Sequence, residues 1–290
     1  MQSEILRISR TASLWDVYLE AITHTRHDPT AALDLTDRAH ARELMFTLGS
    51  EGSAHARQAS VKDARALLTD GAIALVYAQL PEQLLVWAVT SRDIRLTERK
   101  VSAKTMERLV DAFVTTLDDG PASATARALA QELIPSGIAL RPDRPLVIVP
   151  DGVLFRVPFA ALPVPGLATT IVATSIPIVT PSLAAFAMSS QPAPRPENRR
   201  LLAIGVGDAV PRDGLGRLAN AEGEAMAAAG EYRDKMILTN ATATRAAILK
   251  ELPQYDVIHF LCQVFVLSCF PMNSRLSVIG GVISPSDIST

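Results

Sequence analysis

A histidine and a cysteine stand three positions apart in the apolar stretch YDVIHFLCQV, residues 255–264. They are His259 and Cys262, and a second cysteine follows at Cys269. A thiol is mostly protonated near neutral pH, and it becomes a nucleophile when a partner such as an imidazole takes its proton. The stretch has the pattern of a buried strand that ends in these groups. It suggests either a cysteine nucleophile with a histidine base or two ordinary core side chains.

Other kinds of site find little support in the sequence. Metal binding by the two cysteines would need more ligands near them, and none has a suitable spacing. The glycine-rich stretch GVGDAVPRDGLG, residues 205–216, has Val210 and Pro211 where a dinucleotide-binding fingerprint needs its third glycine, and it lacks the lysine of a phosphate-binding loop. We interpret it as a loop after a strand, and we expect no cofactor.

Composition narrows the class of protein further. The chain has 290 residues, of which 48% are hydrophobic and 20% charged, and its formal net charge is -2. This near balance argues against a nucleic-acid partner, which would need a basic field. No apolar run reaches the roughly 18 residues of a membrane span, and the N-terminus lacks the pattern of a secretory signal. Because the chain has only two cysteines, we expect a cytoplasmic protein.

The pattern of apolar residues predicts the elements that must position these side chains. Residues 1–60 are fairly polar and look helical, with a helix candidate at 31–50. A stripe of apolar side chains at helical spacing runs from Met106 to Leu117, and a second helix follows at about 122–134. Short apolar runs predict strands at 72–78, 84–90, 93–98, 145–150 and 175–182.

The second half of the chain alternates between strands and helices. Strands are predicted at 201–207, 235–238 and 256–262, and helices at 218–232 and 242–252. Thr242 or Thr244 would cap the second of these helices, and Ser182 would cap an earlier one. Alternation of this kind is typical of a parallel sheet covered by helices, so we predict an α/β fold.

The stretch VPDGVLFRVPFAALP, residues 149–163, is unusual for a plain loop. A Pro-Asp-Gly turn follows the predicted strand, and Pro158 and Pro163 exclude ladder hydrogen bonds at their positions. We therefore predict an irregular segment that crosses the core. Four apolar side chains would pack it there, namely Leu154, Phe155, Phe159 and Leu162.

This stretch, extended to LVIVPDGVLFRVPFAALP, resembles the signature of the CHAT-domain family. Members are caspase- and separase-like cysteine peptidase domains, often preceded by tetratricopeptide helices. Three further segments resemble the family's segments in the family's order: GAIALVYAQLPEQLLVWAVT, LGRLANAEGEAMA and NATATRAAILKELPQYDVIHF. The resemblance covers about residues 31–290. It implies a caspase-like, mostly parallel sheet flanked by helices, and peptide-bond hydrolysis by a Cys-His dyad as the family's activity.

The chain departs from the family's pattern at the dyad histidine. The family's strand ends in His-Phe-Ala-Cys-His-Gly, and the second histidine belongs to the dyad. The matching residues here run from His259 to Val264, so the resemblance places Gln263 at the dyad position and Val264 at the glycine. The stretch PMNSRLSVIGGVISPSDI, residues 271–288, also resembles the family and keeps this register. A glutamine amide cannot take the proton of a thiol, and a β-branched residue resists a positive φ.

The family's nucleophilic cysteine lies in a Leu-Ser-Ala-Cys-like stretch on the next core strand. The sequence ends at Thr290 before such a strand, so we expect a caspase-like sheet that is incomplete at its C-terminus. The stretch VLSC, which ends at Cys269, lies too early in the family's order, and we interpret its similarity as coincidence. Cys262 would then be a buried strand cysteine, and His259 a structural histidine hydrogen-bonded in the core. We expect a helical region at 1–60, as at the end of a helical-repeat segment, and a CHAT-like domain at 61–290.

Three hypotheses about function follow. The first is a CHAT-domain protein without peptidase activity, because the dyad position holds Gln263 and the cysteine-bearing strand is missing. The second is an active cysteine peptidase that pairs His259 with Cys269 or Cys262, or completes its dyad with a second chain. The third is a non-catalytic module that binds a peptide or a protein partner, such as a helical-repeat protein, without cleaving it. None of the three implies a cofactor, a nucleic acid or a membrane.

Overall fold

The chain divides into two compact units. The first comprises Met1–Met45 and Ser53–Gln191, and the second comprises Phe46–Gly52 and Pro192–Thr290. The structure, a computed structural model, describes residues 17–47, 59–69, 71–121, 123–167, 169–190, 198–207, 217–265 and 275–288. Among these residues, no helix combines the length and the apolar character needed to cross a membrane.

A five-stranded sheet forms the centre of the first unit. Its strands are β1 (Ile73–Gln79), β2 (Leu84–Val89), β3 (Ile94–Arg99), β4 (Pro145–Val149) and β5 (Ile176–Val179). Their spatial order is β3-β2-β1-β4-β5. The pairs β1–β2 and β2–β3 are antiparallel, whereas β4 runs parallel to both β1 and β5. The five strands predicted for this part of the chain are therefore confirmed.

Helices connect and cover these strands. They are a helical stretch at 17–25, α1 (Pro29–Thr47), α2 (Val61–Leu67), α3 (Ala103–Thr115), α4 (Ala124–Leu133), α5 (Ile171–Thr174) and α6 (Leu183–Ser189). The hydroxyls of Ser102, Ser123 and Ser182 each accept a backbone N–H from the first turn of α3, α4 and α6. The predicted cap at Ser182 is thus confirmed.

The core lies on both faces of the sheet because β1 is buried on both sides. Its alternate side chains from Ile73 onward pack with α3 and α4, and those from Ala74 onward pack with α2 and α6. The hydroxyl of Tyr77 donates to the carbonyl of Leu133 at 3.0 Å. Burial raises the pKa of Tyr77, so this hydroxyl keeps its proton and remains a donor.

The segment after β4 is irregular, as predicted. It contains two short 3-10 turns, Gly152–Arg156 and Phe159–Ala161. Leu154, Phe159 and Leu162 are buried in the core, but Phe155 is 40% exposed. The prediction that Phe155 packs in the core is therefore wrong. Successive side chains of a 3-10 turn point about 120° apart, so the residue beside a buried Leu154 faces outward.

Three buried titratable side chains join α1 to the turn after β4. Asp37 and His40 are three residues apart on one face of α1, and Asp151 stands in the Pro-Asp-Gly turn. The Nε2 atom of His40 lies 3.6 Å from Oδ1 of Asp151. The other carboxylate oxygen of Asp151 accepts the N–H of Gln79 at 2.7 Å. These contacts hold α1 against the carboxyl ends of β1 and β4.

The carboxylate of Asp37 also caps α6. It accepts the N–H of Leu183 at 2.5 Å and the N–H of Ala184 at 3.2 Å, two groups that have no acceptor within their own helix. Burial raises the pKa of Asp37, and the two backbone N–H groups partly offset this rise. A single side chain of α1 therefore satisfies two donors that burial would otherwise leave without an acceptor.

A three-stranded parallel sheet forms the centre of the second unit. Its strands are β6 (Arg200–Gly205), β7 (Asp234–Thr239) and β8 (Val257–Leu261), in the order β7-β6-β8. The helices are α7 (Ala221–Gly230) and α8 (Arg245–Glu251). Thr244, one of the two predicted caps of α8, accepts the N–H of Ala247.

A small antiparallel sheet completes the described part of the second unit. Its strands are β9 (Val264–Phe265), β10 (Arg275–Val278) and β11 (Gly281–Ile283), in the order β11-β10-β9, and α9 (Pro285–Ile288) follows. Arg245 joins this sheet to α8, because its Nε donates to the carbonyl of Val282 at 3.1 Å and its Nη2 to Asp287 at 2.6 Å. The sequence patterns did not predict these short strands.

The predicted α/β fold is confirmed, since each unit contains parallel strands flanked by helices. The patterns of alternating strands and helices were sufficient for this result. The division into a helical region at 1–60 and a domain at 61–290 stays a prediction.

We expect Asp37→Ala to lower the free energy of unfolding by about 1–3 kcal/mol, because the N–H groups of Leu183 and Ala184 lose their acceptor. A carboxyl whose pKa is raised on folding stabilises the fold fully below its unfolded pKa, and this contribution is lost as the pH rises through the raised value. The loss should therefore be largest at acid pH. Urea unfolding followed by circular dichroism measures it.

The matched control is Asp34→Ala, which removes a half-buried carboxylate of the same helix. We expect it to change the free energy of unfolding much less. Equal losses in the two variants would contradict the capping role of Asp37.

Candidate functional site

The candidate site lies at the edge of the second unit where β6, β7 and β8 end. In parallel sheets, ligands bind outside the carboxyl ends of the strands. Cys262 and Gln263 directly follow Leu261, the last residue of β8, and His259 lies two residues before it. The structure thus places three of the four candidate residues at one edge. The fourth, Cys269, lies outside the described residues.

His259 and Cys262 point to opposite faces of the sheet. Side chains alternate along a strand, so residues at even and odd positions of β8 separate. Cys262 packs with Ile258 and Phe260 in the apolar cluster on one face. Val257, an odd-numbered residue like His259, packs with alanines of α7 on the other face. The strand therefore keeps the imidazole away from the thiol.

The thiol of Cys262 is held in its protonated form. Cys262 is half-buried and makes no disulfide. Burial among apolar side chains raises its pKa to about 11. At pH 7 only about one molecule in 10⁴ would then carry a thiolate. The interpretation of Cys262 as a strand cysteine of the core agrees with this environment, although the side chain is only partly covered.

His259 is exposed, so its prediction as a buried core histidine is wrong. The sequence around it is apolar, which favoured a core position. However, among the residues that the structure describes, β8 is an outer strand of its sheet, and burial of an outer strand depends on what lies beyond it. His259 stands in register with Ala203 of β6, a buried residue of the central strand. Its imidazole is accessible from solvent.

Gln263 occupies the turn between β8 and β9. Its carbonyl accepts the N–H of Ser277 in β10 at 2.8 Å, which fixes the backbone at this position. Its side-chain amide can donate and accept hydrogen bonds but cannot act as a general base. Val264 begins β9 in an extended conformation, and among the described non-glycine residues only Asn240 has a positive φ. The chain therefore leaves β8 without the unusual backbone that a glycine at 264 would permit.

Two glycines at the end of β6 allow a close approach of backbone segments. A Cβ atom on Gly205 would lie 2.5 Å from the carbonyl oxygen of Ala221, and one on Gly207 would lie 2.7 Å from that of Leu218. Both distances are shorter than van der Waals contact with a fixed backbone atom. Residues 208–216 lie outside the described part of the chain, so the interpretation of the stretch 205–216 as a structural loop stays a prediction.

A hydrogen-bond chain that sequence reasoning missed crosses this edge. The N–H of Gly207 donates to Oδ1 of Asn240 at 3.0 Å, and Nδ2 of Asn240 donates to Oε2 of Glu222 at 3.1 Å. Asn240 follows β7 with a φ of 38°, a conformation that asparagine adopts more readily than most residues. The Thr-Asn-Ala-Thr sequence after a predicted strand was the available signal for such a turn.

No group of three or more His, Cys, Asp or Glu side chains within the described ranges is arranged to hold a metal ion. The contacts at this edge are hydrogen bonds of backbone and amide groups, together with one carboxylate. These groups bond to one another, so the contacts fix the ends of β6 and β7 and the start of α7 relative to each other.

The thiol environment leads to a prediction for alkylation of Cys262. The experiment uses a Cys269→Ser variant, in which Cys262 is the one thiol left. At pH 7 we expect iodoacetamide to react with Cys262 at least about 100-fold more slowly in the folded chain than in the same chain in urea. The rate should rise about tenfold per pH unit toward the raised pKa of about 11. Mass spectrometry of quenched samples measures it. A folded chain that reacts as fast as the unfolded one at pH 7 would show an activated thiolate instead.

The close approach at Gly205 predicts a loss of stability for Gly205→Ala. We expect the free energy of unfolding to fall by about 1–3 kcal/mol, because the added methyl group meets the backbone of Ala221. The control is Gly223→Ala in α7, where nothing lies within 4 Å of the added Cβ and where alanine should stabilise the helix by about 0.5–1 kcal/mol. Thermal unfolding compares the two. A Gly205→Ala variant as stable as the parent would overturn this account.

Two comparisons with known proteins give different results. No curated protein matches the chain at a significant level. The sequence model of one family, described as the CHAT domain, matches residues 96–283, which is more than half of the chain. The match spans β4, the Pro-Asp-Gly turn and the whole parallel sheet of the second unit. The chain therefore belongs to the CHAT domain family and contains a caspase-like, peptidase-related domain.

Proposed function

We propose that this CHAT domain binds a peptide or a protein partner and does not hydrolyse it. The observation that carries the proposal is the presence of Gln263 at the position where the family's dyad histidine is expected. The amide of Gln263 follows β8, at the edge where the base would have to act. Loss of a general base lowers the rate of an enzyme by about 10²–10⁴-fold, and by more when the nucleophile depends on it.

The state of Cys262 supports the same proposal. A nucleophilic thiol needs a partner that lowers its pKa or takes its proton. Burial instead raises the pKa of Cys262 to about 11, and His259 points to the other face of the sheet. The described residues of this edge therefore supply neither a thiolate nor a base beside the thiol.

A protein or peptide is the class of ligand that agrees with the family and with this edge. The carboxyl ends of parallel strands are common ligand sites, and here Asn240 positions the carboxylate of Glu222 at that edge. A carboxylate has more lone pairs than this one bond uses, so Glu222 can also accept the N–H of a peptide backbone. A helical-repeat protein would be one such partner, because domains of this family are often preceded by tetratricopeptide helices.

A second candidate function is favoured by the exposure of His259. An accessible imidazole could take a proton from a thiol that reaches it, either from Cys269 or from a second chain. Pairing with Cys262 is disfavoured, since the two side chains point to opposite faces. In this candidate the chain would be an active cysteine peptidase with a dyad that differs from the family's.

The two candidates predict different results with a thiol-reactive peptide probe and with an unfolded protein substrate. If the chain is a binding module, neither labelling nor hydrolysis should occur at pH 7. Labelling and hydrolysis that both disappear in Cys269→Ala and in His259→Ala, but persist in Cys262→Ala, would establish the second candidate. Mass spectrometry of the probe adduct and of substrate fragments measures both.

The binding half of the proposal needs its own measurement. A library of synthetic peptides, tested by fluorescence anisotropy against a Cys262→Ala, Cys269→Ala double variant, should contain sequences that bind without being cleaved. A library in which no peptide binds above the level of a scrambled control would contradict a peptide ligand. An unfolding transition for the double variant that matches the parent shows that the fold is retained.

A further inference from the structure

A cleft in the first unit lies between α4 and the turn that leads from Pro163 to Thr169. Its volume is about 250 Å³. Ala130 of α4 and Pro163 and Val164 of the turn are buried residues of its lining, so the deeper part of the cleft is apolar. Sites for ligands are commonly apolar in this way, with a few polar groups that fix the orientation of the ligand.

Backbone hydrogen bonds hold the turn that forms one wall of the cleft. The N–H of Val164 donates to the carbonyl of Thr169 at 2.9 Å, and the N–H of Leu167 donates to the carbonyl of Val164 at 3.0 Å. Pro163 and Thr170 form an antiparallel bridge at the base of the turn. The wall is therefore formed before a ligand arrives, and binding has to order little of it.

The charge of the cleft is positive. Arg127 lies on the exposed side of α4, and Gln131 follows one helical turn later on the same face. Both side chains line the cleft, and the described residues that line it include no Asp or Glu. Within the described ranges, the guanidinium of Arg127 has no carboxylate partner. It can therefore form a charge-assisted pair with an anionic group of a ligand.

The rim of the cleft is partly apolar. Leu167 is 58% exposed there, and its side chain would leave water when a ligand covers it. Pro165 on the same rim has no backbone N–H, so it adds no donor. An apolar base, an exposed leucine and a guanidinium without a carboxylate partner together match an apolar group that carries a carboxylate.

We propose that this cleft binds the C-terminal residue of a peptide chain, with an apolar side chain against Val164 and Leu167 and the α-carboxylate on Arg127. One carbon atom bears both the side chain and the carboxylate, so a single residue reaches both parts of the cleft. The volume of about 250 Å³ is below the roughly 300–1,000 Å³ of small-molecule sites, which favours one residue over a whole ligand. The exposed rim leaves a path for the rest of the peptide.

This proposal is independent of the function proposed for the second unit. The residues of the cleft belong to the first unit, whereas β8 and Gln263 belong to the second. A peptide at the cleft would shift the amide NMR signals of Arg127 and Val164. A peptide at the carboxyl ends of the parallel strands would instead shift those of Gly205 and Gln263, so the failure of either proposal can be recognised separately.

Titration of the isotope-labelled full chain with acetyl-Ala-Ala-Leu tests the proposal by two-dimensional NMR. The peptide is used as the free acid and as the C-terminal amide. We expect the free acid to shift the signals of Arg127, Gln131 and Val164 with a Kd in the millimolar range, because the contact is one residue in size. The amide keeps the side chain but lacks the negative charge, so it should bind at least about tenfold more weakly.

Variants of the cleft supply the second measurement. Arg127→Ala should weaken binding of the free acid at least about tenfold, whereas Arg127→Lys keeps the charge and should retain part of the affinity. Leu167→Glu places a like charge on the rim and should also weaken binding. The matched control is Arg108→Ala, which removes an exposed arginine of α3 outside the cleft and should leave binding unchanged. Because Arg127 and Leu167 are exposed, each variant should unfold like the parent.

Several results would overturn the proposal. One is equal binding of the free acid and the amide, and another is an equal effect of Arg127→Ala and Arg108→Ala. Signals of Arg127, Gln131 and Val164 that do not move with the free acid would also overturn it. Hexanoate tests the other source of an apolar carboxylate. If hexanoate binds as tightly as the peptide, the cleft takes a small free acid, and its assignment to a peptide end is wrong.

Discussion

The alternation of side chains along β8 determines what this edge of the second unit can do. Because neighbours in a strand point to opposite faces, Cys262 joins the apolar cluster while His259 stays in contact with solvent. His259 and Cys262 are only three residues apart in the sequence, but their side chains lie on opposite faces of the sheet. The imidazole and the thiol, which cysteine chemistry would need side by side, are therefore kept apart. The same alternation turns the backbone groups of Val257, His259 and Leu261 toward β6.

Most of the fold could be predicted from the sequence because its signals are local. The spacing of apolar residues located the strands of both parallel-containing sheets, and Ser182 and Thr244 marked helix starts through a hydroxyl that accepts a nearby N–H. The strands β9 to β11 were not predicted, since two to four residues carry too little periodicity. The exposed positions of Phe155 and His259 were also missed, because exposure depends on distant parts of the fold.

Only the local part of the candidate site could be predicted from the sequence. The resemblance located Gln263 at the position of the family's dyad histidine, and the structure places Gln263 where the strands of a parallel sheet end. The bonds between Gly207, Asn240 and Glu222 could not be predicted, because they join three elements that are far apart in the sequence. Likewise, nothing near Asp37 in the sequence indicated that its carboxylate would be buried and would bond to a distant helix.

The contact of Asp37 with α6 has a consequence for synthesis on the ribosome. The carboxylate and its two partners, Leu183 and Ala184, are 146 and 147 residues apart. At about 5–20 residues per second, the ribosome needs about 7–30 s to deliver those partners after Asp37 has been made. During that time α1 lacks two of the bonds that hold it, and its apolar side chains are available to chaperones. The order of synthesis thus delays these two bonds of α1 until α6 has been made.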